Sequence, residues 1–156
     1  WGLSYHDADR DGRAMIRADT VRPGHGRISL RLNIPTTDAV TLPISNAGAT
    51  PAGCSGGDQG YQFAKGSFHV AFLARSSSVD MKLEVLTGSW TGSLSNYSGT
   101  SFGQHSLGLD WLWITANVTV VDPSTSCFQV RASGAVGQLW VDDFFVGTGE
   151  GPKRAT

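Results

Sequence analysis

An alternation of apolar and polar positions returns in one segment after another and restricts this chain more than any other feature. In Arg27 to Ile34 the apolar set is Ile28, Leu30, Leu32 and Ile34, with Ser29, Arg31 and Asn33 between them. Ser67 to Arg75 places Phe68, Val70, Phe72 and Ala74 on one side. Val79 to Thr87 does so with Val79, Met81, Leu83 and Val85, and Cys127 to Ala132 with Phe128 and Val130. A period of two is that of a strand with one face in a core and the other in water; a helix cannot gather such a set on one side. The chain is therefore expected to be all-β. Ser76-Ser77-Ser78 reads as a short hairpin connection, and Gln138 to Val146 as the closing strand. The stretches 35–60 and 88–108 carry Gly, Ser, Thr, Asn and Pro without a sustained period and read as long loops. Long connections between sequence-distant strands belong to a β-sandwich of Greek-key or jelly-roll type rather than an up-and-down barrel.

The expected organisation is one sandwich domain over 1–146, with 1–26 poorly defined and 147–156 a tail or linker. Arg13 to Ala18 reads equally as a strand or one helical turn. A chain of 156 residues has room for one domain. With Lys plus Arg at 12 and Asp plus Glu at 13, it has no basic excess to track phosphates, so nucleic acid is not an expected partner. Apolar runs such as Trp111-Leu112-Trp113-Ile114 fall far short of the ~18 residues of a membrane helix, so no membrane partner is expected either. The chain begins at Trp1 with no initiator Met or apolar leader, as expected after a removed leader or at the edge of a fragment. Two glycosylation acceptors, Asn96-Tyr97-Ser98 and Asn117-Val118-Thr119, fit an extracellular protein. Cys54 and Cys127 lack C-x-x-C spacing, and the expected arrangement is a single disulfide worth roughly 3–5 kcal/mol. Two buried free thiols are the alternative.

Catalytic signatures are weak. Gly99-Thr100-Ser101-Phe102-Gly103 matches a nucleophile elbow, but no helical period follows it, as the elbow requires. Glycoside hydrolysis needs two carboxylates across a cleft, and neither Glu84 with Glu150 nor the adjacent Asp142 and Asp143 form a convincing pair. Asp7, Asp9, Asp11 and Gly12 have the first half of a calcium loop, without the later bidentate Glu. The chain is not expected to be an enzyme.

Trp111 to Val121 is the most informative strand. Leu112, Ile114, Ala116, Val118 and Val120 form its core side, which leaves Trp111, Trp113 and Asn117 on the face other strands keep polar. That polar face collects Arg31, His69, Arg75, Lys82, Glu84, Gln129 and Arg131. Sugars stack their C–H faces on aromatic rings and take directional bonds from charged and amide groups, so such a face suits carbohydrate. The candidate binding residues are Trp111, Trp113, Arg31, Arg75, Glu84 and Arg131. In the alternative the tryptophans are covered by the long loops. A rival function is a self-associating coat or matrix subunit that uses the same sandwich for protein contacts.

Gly137-Gln138-Leu139-Trp140-Val141-Asp142-Asp143-Phe144-Phe145-Val146 resembles the closing strand of carbohydrate-binding modules of the family 4/9/22 type. The resemblance runs back through Tyr61 to Arg75, the region around Trp90 and Arg27 to Asn33. It implies a galactose-binding-like jelly roll, a polysaccharide or glycan as partner, and a structural calcium held in part by Asp142. The order of segments from Arg10 through Leu42-Pro43 is also similar to the N-terminal part of fungal-type α-L-arabinofuranosidases, where such a jelly roll accompanies a catalytic barrel. The chain departs from that pattern in lacking an early Glu-rich segment. The expectation is a secreted, non-catalytic glycan-binding module, alone or as an appendage of a glycoside hydrolase.

Overall fold

A computed structural model describes residues 2–3, 16–21, 23–24, 26, 29–45, 61–89, 98–123 and 126–148. They form ten strands: β1 (Gly2–Leu3), β2 (Ile16–Asp19), β3 (Ser29–Ile34), β4 (Val40–Ser45), β5 (Gly66–Ser76), β6 (Lys82–Ser89), β7 (Ser98–Ser106), β8 (Leu112–Val120), β9 (Cys127–Ser133) and β10 (Gly137–Gly147). Two five-stranded antiparallel sheets result, one in the order β1-β4-β9-β6-β7 and the other β2-β3-β10-β5-β8. No helix of the described residues is long and apolar enough to cross a membrane.

The alternating sets meet between the sheets. Leu32, Ile34, Val70, Phe72, Ala74, Leu83, Val85, Ile114, Val118, Phe128, Val130, Leu139 and Val141 are fully buried there. Phe63 packs its ring 5.3 Å from Phe68 and 5.7 Å from Phe128, while Phe72 stacks on Phe144 at 4.8 Å. The strand expected from Val79 starts later. Val79 is 65% exposed, Met81 is the first buried residue, and Ser78 and Asp80 take Val79 into a turn.

Three other expectations are corrected. Ser76–Ser78 does not close a hairpin, because β5 and β6 lie in different sheets. It turns the corner between them, with the Ser78 amide donating to Ser76 Oγ at 2.9 Å and the Ser77 amide to the Gln138 carbonyl at 2.9 Å. The stretch 35–60 contains β4, whose alternation is interrupted by Pro43. Among the described residues that strand is paired on its outer side only at Ile44 and Ser45, a setting that tolerates a residue without an N–H. The stretch 88–108 contains β7, an edge strand that packs only one large apolar side chain, Phe102, against the core. Its register shifts between Glu84↔Gln104 and Leu86↔Ser101, where Gly103 takes a φ of 129° that only glycine adopts easily. Ser101 is therefore an exposed strand residue, with no strand-to-helix turn around it.

The segment around Ile16, open between strand and helical turn, is strand β2. A second bulge lies in β10, where Asp142 pairs with Leu73 but Phe145 with Ala71. Asp143 sits at φ 55° and its amide donates to Asp142 Oδ1 at 2.8 Å, so the aspartate stabilises the left-handed residue that follows it. The extra residue switches the strand's parity. Leu139 and Val141 face the core before it, Phe144 and Val146 after it.

Candidate functional site

The six residues proposed as one binding face stand on two. Arg31, Arg75, Trp111 and Trp113 belong to the outer face of the β2-β3-β10-β5-β8 sheet, Glu84 and Arg131 to the outer face of the other. The packed core, roughly 10 Å thick, lies between them. Alternation shows which side of a strand is wet. It does not show which sheet the strand joins.

On the tryptophan face, Trp140 is paired with Arg31 on one side and Arg75 on the other. The Arg75 guanidinium lies 3.7 Å from the centre of the Trp140 ring and 5.4 Å from that of Trp111. With Trp140 only 7% exposed, this stack is largely desolvated, the setting in which a cation–π contact reaches about 2 kcal/mol. Gly24, between β2 and β3, lies against the same group: a Cβ there would stand 3.0 Å from Leu73 Cδ1 and 3.1 Å from Trp111 Cδ2. Leu73, which points out of the sandwich, is accordingly buried. Trp111 and Trp113 are half-buried. Their rings are outside the core, as the alternation requires, but Trp111 is braced by Arg75 and by the chain at Gly24 rather than bare. Trp140 was not among the candidate residues, although its position opposite two arginines makes it the centre of this face. Further along, His69 Nδ1 and Asn117 Oδ1 are 3.1 Å apart, so the acceptor asparagine of the second glycosylation motif stands mid-strand. Gly24→Val is expected to lower stability by about 1–3 kcal/mol through overpacking on Leu73 and Trp111. A denaturant midpoint unmoved by the change would show that the chain does not press on the indole there.

The opposite face is built differently. Thr41 of β4 pairs with Arg131 of β9, Arg131 with Glu84 of β6, and Glu84 with Gln104 of β7, so four polar side chains form one row across the sheet. Arg131 donates from Nε to Glu84 Oε1 at 2.7 Å and from Nη2 to the same oxygen. Neither bond uses Glu84 Oε2 or Arg131 Nη1. The side chains are 15% and 32% exposed respectively, at the boundary of solvent. In the next row, Gln129 is 1% exposed and its Oε1 is buried with no hydrogen-bond partner. The glycine bulge at Gly103 brings Gln104 beside Glu84 while Phe102 turns into the core. A polar residue in a wet-face register was legible for Gln129; its burial was not.

Asp142 is committed to its bulge, and no three His, Cys, Asp or Glu side chains converge among the described residues. Asp7, Asp9, Asp11, Cys54, Trp90, Asn96 and the stretch 149–156 lie outside the described residues. Cys127 is fully buried at the start of β9, and no described cysteine is a free thiol.

No family model matches this chain, and no curated protein matches it in sequence. Solved structures do match it in fold. The CBM22-1 xylan-binding domain of Paenibacillus barcinonensis Xyn10C superposes with a TM-score of 0.58 at 12% identity, covering 93% of this chain and 84% of that one. The CBM22-2 xylan-binding domain of the same protein gives 0.52 at 13% identity, covering 87% of this chain and 91% of that one. The CBM22-1 and GH10 modules of the Clostridium thermocellum xylanase Xyn10B, solved with xylohexaose, give 0.57 at 7% identity. There the match covers 88% of this chain but 25% of that longer one. At such identities the likeness is one of fold: a β-sandwich jelly roll of the kind found in carbohydrate-binding modules, as the closing strand's resemblance to the 4/9/22 type implied.

Proposed function

We propose that this chain is an extracellular, non-catalytic glycan-binding module that binds through the outer face of the β1-β4-β9-β6-β7 sheet. The observation that carries the reading is the row Thr41, Arg131, Glu84, Gln104, whose ion pair leaves an acceptor and a donor unspent at the surface. A sugar hydroxyl both gives and accepts hydrogen bonds, and this row offers both. Side chains on neighbouring strands stand roughly 4.8 Å apart, of the order of one pyranose ring, so a polysaccharide crossing β9, β6 and β7 meets Arg131, Glu84 and Gln104 in turn, Thr41 being buried at the end of the row. Two of the fold's neighbours are xylan-binding domains, which supports the same reading. The tryptophan face supports it less, because Arg75 and Gly24 already occupy Trp111.

The non-catalytic reading is supported by the placement of carboxylates. Glu84 is tied to Arg131, and Asp142 and Asp143 lie in the other sheet. Hydrolysis needs two such groups about 5–9.5 Å apart across one cleft. We place Cys54 and Cys127 in a disulfide, consistent with Cys127 being buried and not free, and this pairing is the main support for an extracellular setting. Intact mass before and after reduction with alkylation tests it: labelling without reduction would overturn it.

Electrophoresis through gels containing soluble neutral polysaccharides tests the function. Retardation by at least one of them is the expected result. No retardation by any, together with concentration-dependent light scattering, would favour the rival self-associating subunit instead.

A further inference from the structure

We propose that Asn117 carries an N-linked glycan whose first sugars lie back across the outer face of the β2-β3-β10-β5-β8 sheet and stack on Phe145. The inference rests on the extracellular setting proposed above and goes beyond it: one sheet of the sandwich carries a glycan of its own, and the other is left to bind glycans.

Asn117 and Thr119 lie two apart on β8 and are exposed on the same side of the strand, while Val118 between them is fully buried in the core. The folded chain thus presents the amide and the hydroxyl of the acceptor tripeptide together. His69 Nδ1 lies 3.1 Å from Asn117 Oδ1. An amide oxygen only accepts, so the imidazole is the donor there, and Nδ2, the atom that bears the sugar, is not used in that contact. The modification keeps the oxygen and therefore keeps this bond. In the transfer, Nδ2 attacks the anomeric carbon of an oligosaccharide carried on a polyprenyl diphosphate. The new C–N bond forms as the C–O bond to the diphosphate breaks; the diphosphate leaves with that electron pair, and Nδ2 gives up one proton.

The second observation lies two strands away. Asn117 pairs with His69, and His69 with Gly147. Phe145 and Gly147 share the outward side of β10 beyond its bulge, since Phe144 and Val146 face the core. The Phe145 ring is folded along the strand over Gly147, where a Cβ would stand 2.7 Å from Cζ and 3.2 Å from Cε1. Glycine leaves the space the ring takes. Across three strands the row therefore runs amide, imidazole, phenyl ring, roughly 10 Å end to end at one strand spacing per step. That distance is within reach of the first two sugars on Asn117. Ser67, Thr115 and Thr119 beside the row are exposed and short, so they leave the path open. The half-buried phenyl offers an apolar surface to the C–H side of a sugar.

The full chain secreted from a eukaryotic host tests the proposal. Enzymatic release of N-glycans in heavy-oxygen water should leave an isotope mark at position 117; an unmarked Asn117 overturns the proposal. Nuclear Overhauser contacts are expected between sugar C–H protons and the Phe145 ring, and a glycan that touches no part of that ring overturns it equally. Thr119→Val abolishes the acceptor while keeping Asn117 and its bond to His69, and should lower the urea midpoint by about 0.3 M. In a Phe145→Ala background the same change should show less than about half that difference. Equal differences in both backgrounds contradict the stacking. Retardation of Thr119→Val by neutral polysaccharide should match that of the glycosylated chain; its loss overturns the division between the sheets. The extracellular reading fails separately, through cysteines that are alkylated without reduction.

Discussion

Trp140→Ala is expected to cost about 3–5 kcal/mol of folding stability, although Trp140 points away from the core between the sheets. Exposure explains why: the indole is 7% accessible, and on an outer face that degree of burial arises only from neighbours lying over and beside it. Arg75 covers one ring face at 3.7 Å, and β10 is held by β3 on one side and β5 on the other. Removing the ring leaves a cavity in the centre of a sheet and strips Arg75 of its closer stacking partner. Typical domains have only about 5–15 kcal/mol in reserve, so the variant should show a large drop in its denaturant midpoint. Arg75→Ala separates the contributions. It should cost about 1–2 kcal/mol if the cation–π contact is one part of a larger packing effect. A loss below about 1 kcal/mol in Trp140→Ala would show that the ring is not braced as described, and would return this face to candidacy as an open platform.

Breaking the Glu84–Arg131 pair from one side should be worse than removing it altogether. Arg131→Met leaves a carboxylate 15% exposed without its counter-charge, and a cost of about 1–3 kcal/mol is expected. Glu84→Gln combined with Arg131→Met should recover part of that stability, because no charge is left unbalanced. Glycan affinity should not recover with it; a fall of more than about ten-fold is expected in the double variant. That separation of stability from affinity is what a binding role predicts. A pair kept for the fold alone would lose and regain both together.

Much of the fold was legible because alternation reports burial directly. The core sides of β3, β5, β8 and β9 follow the sequence pattern, down to Ile114, Val118 and Val130 with no accessible surface, except that Leu112, expected in the core, is exposed at the start of β8. β4 and β7 were not legible, for a physical reason. β4 is flanked on its outer side by only the two-residue β1, so Pro43 is tolerated there, and β7 is an edge strand with one neighbour, for which a single packed phenylalanine among serines and glycines suffices. The adjacent Asp142 and Asp143 hinted at a bulge, because aspartate tolerates the left-handed region and side-chain bonds to the next amide.

The site was legible residue by residue but not as a place. Arg31, Arg75, Trp111, Trp113, Glu84 and Arg131 all sit on outward faces, as expected. Their division between two sheets depends on pairings between strands far apart in sequence, such as β6 with β9 and β10 with β3, which no local pattern encodes. Gly24, a residue in a segment too short and irregular to carry a signal, lies against Trp111. Gln129 looked like any wet-face amide.

The five tryptophans give the binding face a direct reporter, since each indole N–H has its own resonance in a proton–nitrogen correlation spectrum. Such spectra recorded while titrating a neutral oligosaccharide should shift the side-chain signals of Arg131 and Gln104 and leave the indoles of Trp111, Trp113 and Trp140 in place. Shifts concentrated in those three indoles, with Arg131 and Gln104 unmoved, would contradict the assignment of binding to the β1-β4-β9-β6-β7 face.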